Sequence, residues 1–529
     1  MWKRLFTSDA PAPSDPGARA LRASAPDAPS PEADRHDTAL VSMWRPQIRR
    51  RLSVVAAFIL VWAVGIESRL FYMQLYASAF YKEKALRQQQ RKIDLPGRRG
   101  DIVDRNGRLL AYSVEAFDIS ADPTAIEDDA GTARAVCDAL GNCTPSERAE
   151  LARKFAAEAP WTRVRYAREV SPEQASRVAA LGLDGVGLVP VTLRYYPQFQ
   201  LAAQTLGFVG LDNQGQAGVE AKYDRQIRGR AGQAVAYYSK EGRLKTLPEH
   251  EPTSGAGIEL TIDVNAQHTA ERELRAAVEE HHAVSGTVVV MDPATGEVLA
   301  SASYPTFNPN DPGGSPDDFR KNRAVQEIYE PGSTFKIVTA AAALEGGLFS
   351  PSDLIDVSQG YIKLPGRAAI WDDHPSRELT FEDVIVKSSN VGAIKIGWRV
   401  GADLMSRWIR RFGFGQQLVP DFPGQSAGIV HGPEALNQSA LASVSMGYQI
   451  SVTPMQMALA VSAVANGGSL MEPHLVRAIT RDGVREEVAP RVLKQAMKPE
   501  TAATLTTIME GVAQRGTARA AALTRYQVA

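Results

Sequence analysis

The chain has 529 residues, with 59 Lys and Arg against 60 Asp and Glu and a formal net charge of −1. This length predicts two or three domains, and the balanced charge gives no electrostatic basis for binding nucleic acid. No glycine-rich phosphate loop and no Cys/His cluster with metal-ligand spacing stands out in the sequence, so we expect no cofactor and no metal ion.

Residues 1–48 form a distinct segment that we predict to be a disordered tail. The segment is rich in Ala, Pro, Ser and Asp, and it lacks apolar periodicity. A chain of this composition cannot bury enough apolar surface to offset the conformational entropy lost on folding.

Residues 49–75 are predicted to be a transmembrane anchor. An uncharged run from Leu52 to Ile66 follows a cluster of arginines that ends at Arg51. The run is shorter than the roughly 20 residues that span a bilayer, but snorkelling of Arg51 and continuation to Met73 can make up the difference. The preceding arginines predict a cytoplasmic N-terminus with the remainder outside. A cleaved signal peptide is the alternative, because Ala77-Ser-Ala79 resembles a cleavage site.

Residues 76–254 are predicted to form a mixed α/β domain without chemistry of its own. Asn106-Gly107 lies between apolar pairs and predicts a β-hairpin, and the range 144–180 reads as helical with a break at Ser171. Cys137 and Cys143 could close a small disulfide loop in an oxidising compartment; two free thiols are the alternative.

Residues 255–529 are predicted to form the last domain, which begins with a strand, a long helix and a strand–turn–strand unit. A later helix is predicted to follow Pro454. The first four of these elements are expected at Ile258–Ile262, Asp263–Glu280, Gly286–Met291 and Val298–Ala302.

The most informative motif is Glu330-Pro-Gly-Ser-Thr-Phe-Lys336, which predicts a helix start that places Ser333 and Lys336 on one face. A serine needs a neighbouring base to become a nucleophile. A lysine can be that base if burial holds its amine neutral. Alone, this S-x-x-K spacing also fits an ordinary helix start with a solvated lysine.

A second motif, Ser388-Ser-Asn390, is expected on the bend between a short helix that begins after Thr380 and another helix that begins near Val391. Its hydroxyl and carboxamide could relay a proton and hold a lysine or a substrate amide. With S-x-x-K before it, this S-x-N element completes the order used by penicillin-binding proteins and serine β-lactamases.

The wording of both motifs resembles the class B penicillin-binding proteins, which are peptidoglycan transpeptidases, and most closely their division-specific type. The resemblance covers roughly residues 45–529. It implies an α+β multidomain fold: one N-terminal transmembrane helix, a mixed α/β pedestal, and a transpeptidase domain with helices around an antiparallel sheet. Further segments that carry the resemblance are Arg99 to Ala111, Arg194 to Pro197, Gly218 to Glu220, Trp371 to His374 and Gly447 to Pro454.

The resemblance implies a serine acyl-enzyme mechanism on D-Ala–D-Ala stem peptides, with β-lactams as inhibitors. Ser333 would be the nucleophile and Lys336 its base, while Ser388 would pass a proton and Asn390 would orient Lys336 and the substrate. The implied setting is the inner membrane with a periplasmic catalytic domain. The implied partners are a polytopic glycosyltransferase of the FtsW type and other division proteins.

Two alternatives stay open at this point. An elongation-class member of the family would perform the same chemistry in another complex, although Leu110 to Ser113 followed by Ile119 to Pro123 favours division. A catalytically silent β-lactam-binding scaffold is the alternative from another class. The family's third element, K-T-G, is expected beyond Ala529, so we predict that the chain as written is C-terminally incomplete and inactive. Arg515-Gly-Thr517 is expected to be a loop rather than a substitute for that element.

Overall fold

The computed structural model describes residues 34–95, 97–141, 143–156, 170–210, 212–238 and 244–529. The chain divides into two compact units, residues 1–89 and residues 90–529. The part of the predicted disordered tail that covers residues 1–33 lies outside the described residues.

The described part of the first unit is helical apart from a bend at Ala77. It consists of α1 (Asp34–Phe71), a π-helical turn (Tyr72–Tyr76) and α2 (Ser78–Gln89). Within it, Ile48–Tyr76 is long and apolar enough to cross a membrane, with a mean hydropathy of 1.9. Its large apolar side chains are exposed, Phe58 at 74% and Trp62 at 66%. Length and composition therefore support the predicted anchor, although a signal sequence would share both properties.

The prediction of a disordered tail up to residue 48 is wrong for its last part, because α1 begins at Asp34. The stretch between Pro31 and Pro46 contains no proline or glycine and includes Ala39, Leu40 and Met43. These residues are good helix formers, so a helix that begins in the apolar run can extend back through them.

In the second unit, the helices that the sequence predicts best are those that begin at strong capping residues. Thr453 and Gln456 form a capping box before Pro454, where the predicted helix begins. The helices are α3 (Asp129–Leu140), α4 (Pro145–Phe155), α5 (Pro172–Ala180), α6 (Ala203–Leu206), α7 (Gly218–Lys222), α8 (Asp224–Ile227), α9 (Val264–Glu280), α10 (Arg323–Gln326), α11 (Lys336–Glu345), α12 (Phe381–Val386), α13 (Asn390–Arg411), α14 (Gln438–Val444), α15 (Pro454–Ala465) and α16 (Pro499–Arg515).

The strands of this unit are short apart from β3 and β4. They are β1 (Gln90–Leu95), β2 (Ile102–Val103), β3 (Leu109–Ala121), β4 (Val186–Tyr195), β5 (Gly232–Tyr238), β6 (Leu244–His250), β7 (Gly257–Leu260), β8 (Gly286–Met291), β9 (Val298–Tyr304), β10 (Leu354–Asp356), β11 (Tyr361–Ile362), β12 (Ile370–Trp371), β13 (Glu378–Thr380), β14 (Ser469–Met471), β15 (Val476–Arg481), β16 (Val484–Glu487) and β17 (Val492–Gln495).

A six-stranded mixed sheet has the order β16-β15-β7-β2-β3-β4. The predicted hairpin is confirmed, since β2 pairs with β3 antiparallel and Gly107 takes a φ of +81° in the turn. On its other edge β2 pairs in parallel with β7, so one sheet runs across the predicted domain limit at residues 254–255. The predicted strand–turn–strand unit is also confirmed, because β8 and β9 form an antiparallel pair.

A buried ion-pair network ties together the segments of residues 97–224 that resemble the family. Glu220 is fully buried and accepts hydrogen bonds from Arg99 Nη2 and Arg194 Nε, both at 2.6 Å. Arg99 also binds Asp224 at 2.7 Å. Because removing one partner would leave an unpaired buried charge, this network fixes how β2, β4, α7 and α8 pack.

Cys137 and Cys143 form a disulfide, with their Cα atoms 5.3 Å apart. This settles the choice that the sequence left open between a disulfide and two free thiols. The bond joins α3 to the start of the segment before α4, where Thr144 and Glu147 form a capping box.

The largest hydrophobic core surrounds α11, whose residues from Lys336 to Ala343 are all buried. A helix that is buried on every side is apolar all round, and α11 has that character apart from Lys336, Thr339 and Glu345. Residues of α12, α13, α14, α15 and α16 also belong to this core. The core therefore fixes the end of α11 that carries the S-x-x-K motif.

Candidate active site

Ser333 and Lys336 lie together at the start of the central helix, as the sequence predicts. A 3-10 turn (Gly332–Phe335) leads into α11, and the backbone N–H of Lys336 donates to the carbonyl of Ser333. The Ser333 side chain is exposed, whereas Lys336 is only 2% exposed. The helix start thus presents the hydroxyl to solvent and buries the amine.

The backbone before Ser333 is held by the segment that follows α14. The N–H of Gly332 donates to the carbonyl of Gly447 at 3.0 Å. A Cβ atom on Gly447 would come within 2.1 Å of the Gly332 carbonyl oxygen, and the φ of Gly447 is +83°. Glycine is therefore required at position 447. The Glu330 carboxylate adds a second link by accepting the N–H of Gln449 at 2.7 Å.

The Lys336 amine is surrounded by three oxygen acceptors from the S-x-N element. Its Nζ lies 2.6 Å from the Ser388 carbonyl, 3.0 Å from Ser388 Oγ and 3.0 Å from Asn390 Oδ1. The structure therefore brings Lys336, Ser388 and Asn390 into direct contact. Ser333 shares the helical turn with Lys336, but in the described ranges its hydroxyl has no side-chain hydrogen-bond partner.

Burial lowers the pKa of Lys336 from 10.5 to about 8, and the charges of Asp372 and Asp373 oppose this shift. Desolvation is the larger effect, since a charged amine loses its hydration when it is buried. A lysine with a pKa near 8 is neutral in a useful fraction of molecules near neutral pH, which is the condition that a general base must meet.

The S-x-N element lies on a bend between α12 and α13. Thr380 caps α12 by accepting the N–H of Asp383 at 3.0 Å, but the Asp383 carboxylate pairs with Arg515 and does not complete a capping box. Ser388 adopts a left-handed φ of +56°, and Ser389 caps α13 by accepting the N–H of Gly392 at 2.9 Å. This bend turns both Ser388 and Asn390 toward Lys336.

The structure adds a residue to which the sequence pattern gave no role. Asp372 is 7% exposed, and its Oδ2 accepts the Ser389 hydroxyl at 2.7 Å. Its Oδ1 accepts the N–H groups of Asn390 at 2.5 Å and Val391 at 2.9 Å. Asp372 precedes Ser389 by 17 residues, so no local pattern indicated that its carboxylate lies beside a helix N-terminus, where carboxylates are favoured.

The segment Arg515-Gly-Thr517 leads out of α16. Arg515 is the last residue of α16, and Gly516 and Thr517 follow it outside any strand or helix. The predicted loop is therefore confirmed for residues 516–517, whereas Arg515 belongs to the helix. Across the described part of the chain, no group of three or more His, Cys, Asp or Glu side chains is arranged to hold a metal ion.

Two family models match the chain. Residues 94–260 match the penicillin-binding protein dimerisation domain, and residues 286–529 match the penicillin-binding protein transpeptidase domain. Similar relatives include stage V sporulation protein D of Bacillus subtilis, 31% identical over 91% of this chain and 75% of that protein. Peptidoglycan D,D-transpeptidase FtsI of Escherichia coli is 30% identical over 79% of this chain and 71% of that protein.

Solved structures show the same fold. Penicillin-binding protein 2X of Streptococcus thermophilus superposes with a TM-score of 0.66 at 24% identity, over 80% of this chain and 66% of that one. Penicillin-binding protein 3 of Mycobacterium tuberculosis, complexed with aztreonam, has a TM-score of 0.60 at 28% identity, over 80% of this chain and 76% of that one. The chain belongs to the penicillin-binding proteins that carry a dimerisation domain and a transpeptidase domain.

Proposed function

We propose that this protein is a serine D,D-transpeptidase that cross-links peptidoglycan, with Ser333 as nucleophile and Lys336 as general base. The observation that carries the proposal is the environment of the Lys336 amine. That amine is buried, is held by Ser388 and Asn390 at 2.6–3.0 Å, and lies one helical turn from an exposed serine. The names of the relatives support the same activity.

Acylation begins when Ser333 Oγ attacks the carbonyl carbon of the penultimate D-alanine in a stem peptide. The hydroxyl proton passes to Lys336 Nζ. An ammonium has three N–H donors for its three acceptors, whereas the neutral amine has two donors and a lone pair. Loss of one proton therefore provides the lone pair that accepts the proton of Ser333.

Collapse of the tetrahedral intermediate breaks the peptide bond and releases the terminal D-alanine. The leaving nitrogen takes a proton through Ser388, whose Oγ lies 3.0 Å from Lys336 Nζ. Asn390 keeps its position because its Nδ2 donates to the Trp371 carbonyl at 3.0 Å. The amine of a second stem peptide then attacks the carbonyl carbon of the ester and gives a proton to Lys336 Nζ. The bond to Ser333 Oγ breaks, Oγ takes the proton back from Lys336, and the new amide bond is the cross-link.

A β-lactam enters the same first step, because its strained amide stands in the place of the scissile peptide bond. Attack by Ser333 opens the ring, and the leaving nitrogen stays covalently attached to the acyl group. The ester on Ser333 is then hydrolysed slowly.

Release of D-alanine tests the activity. The full-length protein, expressed from the complete gene, purified and given a stem peptide that ends in D-Ala–D-Ala together with an amine acceptor, should release D-alanine and form the cross-linked product. Prior incubation with penicillin should block both, because both steps pass through Ser333. A folded protein that releases no D-alanine would contradict the proposal and favour the silent scaffold.

The orientation of the anchor is part of the proposal. Arginines at residues 45–51 precede the apolar span Ile48–Tyr76 or overlap its start, so the N-terminus should stay in the cytoplasm and the catalytic unit should lie in the periplasm. A reporter enzyme that works only in the periplasm should be active when fused after Leu95 and silent when fused at Ala39. The reverse pattern would contradict both the orientation and a role outside the cytoplasm.

We assign the protein to division rather than to cell elongation. The sequence feature in favour is the run from Leu110 to Ser113 followed by Ile119 to Pro123, which lies within β3 and just after it. The expected partners are a polytopic glycosyltransferase of the FtsW type and other division proteins. Depletion should produce filaments, whereas rounded cells would favour the elongation class.

A further inference from the structure

The carboxylate of Asp372 lies at the centre of the contacts that shape the Lys336 site. It accepts three hydrogen bonds: from the Ser389 hydroxyl and from the backbone N–H groups of Asn390 and Val391. An ionised carboxylate, which only accepts hydrogen bonds, satisfies all three donors. Asp372 is therefore a buried negative charge at the N-terminus of α13.

These contacts connect Asp372 to both residues that hold the lysine. Ser389 lies between Ser388 and Asn390, and Ser388 is kept at a left-handed φ of +56°, which a non-glycine residue adopts only when its surroundings impose it. The carboxylate holds the two residues after Ser388, so it fixes where the Ser388 and Asn390 oxygens point.

We propose that Asp372 is a positioning residue for the proposed reaction, holding the Ser388–Asn390 bend around the Lys336 amine and supplying a fixed negative charge near that amine. This proposal rests on the proposed function of Ser333 and Lys336. It assigns Asp372 no direct contact with substrate.

Charged groups from the neighbouring elements bear on this role. Asp372 and Asp373, both from the segment after β12, are the charges that raise the pKa of Lys336 against the effect of burial. Three charged side chains on or beside α12, α13 and α16 have acidic partners of their own. Lys387 faces Asp383 at 3.6 Å, Lys395 faces Asp356 at 3.9 Å, and Arg515 pairs with Glu382 and Asp383.

Asp372→Asn tests both parts of the role, because the plateau of the acylation rate reports positioning and its pH midpoint reports the charge. Asparagine keeps the size of the side chain and an acceptor for the N–H groups of Asn390 and Val391, but it removes the charge. Its amide nitrogen cannot accept the Ser389 hydroxyl and can only donate to Ser389 Oγ, which already accepts the N–H of Gly392. The hydrogen bond between this side chain and Ser389 must therefore reverse its direction, which weakens the hold on the bend. Asp373→Asn is the matched control, because it removes the adjacent charge from an exposed side chain.

The measurement is the rate constant of acylation by a fluorescent penicillin between pH 6 and pH 10, on the full-length protein, beside its thermal unfolding. The wild-type rate should rise with pH through a midpoint near 8, since the neutral amine is the active form.

In Asp372→Asn the high-pH plateau should fall on the order of tenfold to a hundredfold because positioning is lost. Its midpoint should move to lower pH, because the loss of a negative charge favours the neutral amine. Asp373→Asn should keep the plateau.

A folded Asp372→Asn with the wild-type plateau and midpoint would overturn the proposal. A lower plateau with an unmoved midpoint would overturn the electrostatic part and leave a structural role only.

If Asp372→Asn fails to fold, Ser389→Ala tests the positioning part, since it removes the hydrogen bond to Asp372 Oδ2 and keeps the charge. Its plateau should fall with the midpoint unchanged, and a wild-type plateau would overturn the positioning part. A wild-type protein that is unlabelled at every pH would instead refute the proposed function.

Discussion

Replacement of Ser333 by alanine should abolish covalent labelling by penicillin and reduce D-alanine release by a factor of about 10⁴ or more. The reason is that no other group supplies the oxygen that becomes the acyl ester. Folding should be retained, because the Ser333 side chain is exposed and its backbone carbonyl, not its hydroxyl, accepts the Lys336 N–H at the start of α11.

The matched control for this variant is Ser352→Ala. Ser352 is also an exposed serine, and it follows the end of α11. Labelling and D-alanine release should equal those of the wild type. Labelling of Ser333→Ala at the wild-type rate would show that another residue is the nucleophile.

Lys336→Arg should lower the acylation rate by a factor of about 10² to 10⁴, which is the usual contribution of a general base. Arginine keeps the positive charge but does not lose its proton near neutral pH. Its planar guanidinium is also larger than the amine on which the three oxygens of Ser388 and Asn390 converge. The rise of the rate through a midpoint near pH 8 should disappear with the lysine.

Lys387→Arg is the corresponding control. Lys387 precedes the S-x-N element, is 45% exposed at its side chain and faces Asp383 at 3.6 Å. Arginine can make the same surface ion pair, so the acylation rate should change by less than about twofold. A folded Lys336→Arg with near-normal acylation would remove Lys336 from the role of base.

The parts of this fold that the sequence predicts are those with local physical signals. Asn106-Gly107 specifies a tight turn whatever surrounds it, and Thr453 caps the helix that begins at Pro454 through a hydrogen bond only three residues long. The spacing in S-x-x-K is equally local, since one helical turn brings position 336 back beneath position 333. For these features the chain neighbours supply most of the determining interactions.

The features that the sequence could not provide depend on contacts between distant segments. Gly447 approaches Gly332 from another part of the chain, and Asp372 reaches the start of α13 from the end of β12. Glu220 meets Arg99 and Arg194 only after the sheet has formed. The disulfide between Cys137 and Cys143 depends on how the backbone between them folds. The sequence alone therefore did not exclude two free thiols. The error at the end of the predicted disordered tail had a local origin. The prolines on either side of residues 34–45 favoured a prediction of disorder, although the residues between those prolines are good helix formers.

The most direct test of the proposed mechanism is to locate the acyl group that a stem peptide leaves on the protein. The full-length protein would be mixed with a donor that ends in D-Ala–D-Ala, quenched in acid within the first turnovers, digested and analysed by mass spectrometry. The expected adduct has the mass of the donor without its terminal D-alanine, linked as an ester to Ser333 in the peptide that contains Lys336. An adduct on Ser388 or elsewhere, or D-alanine release without any covalent adduct, would contradict the account.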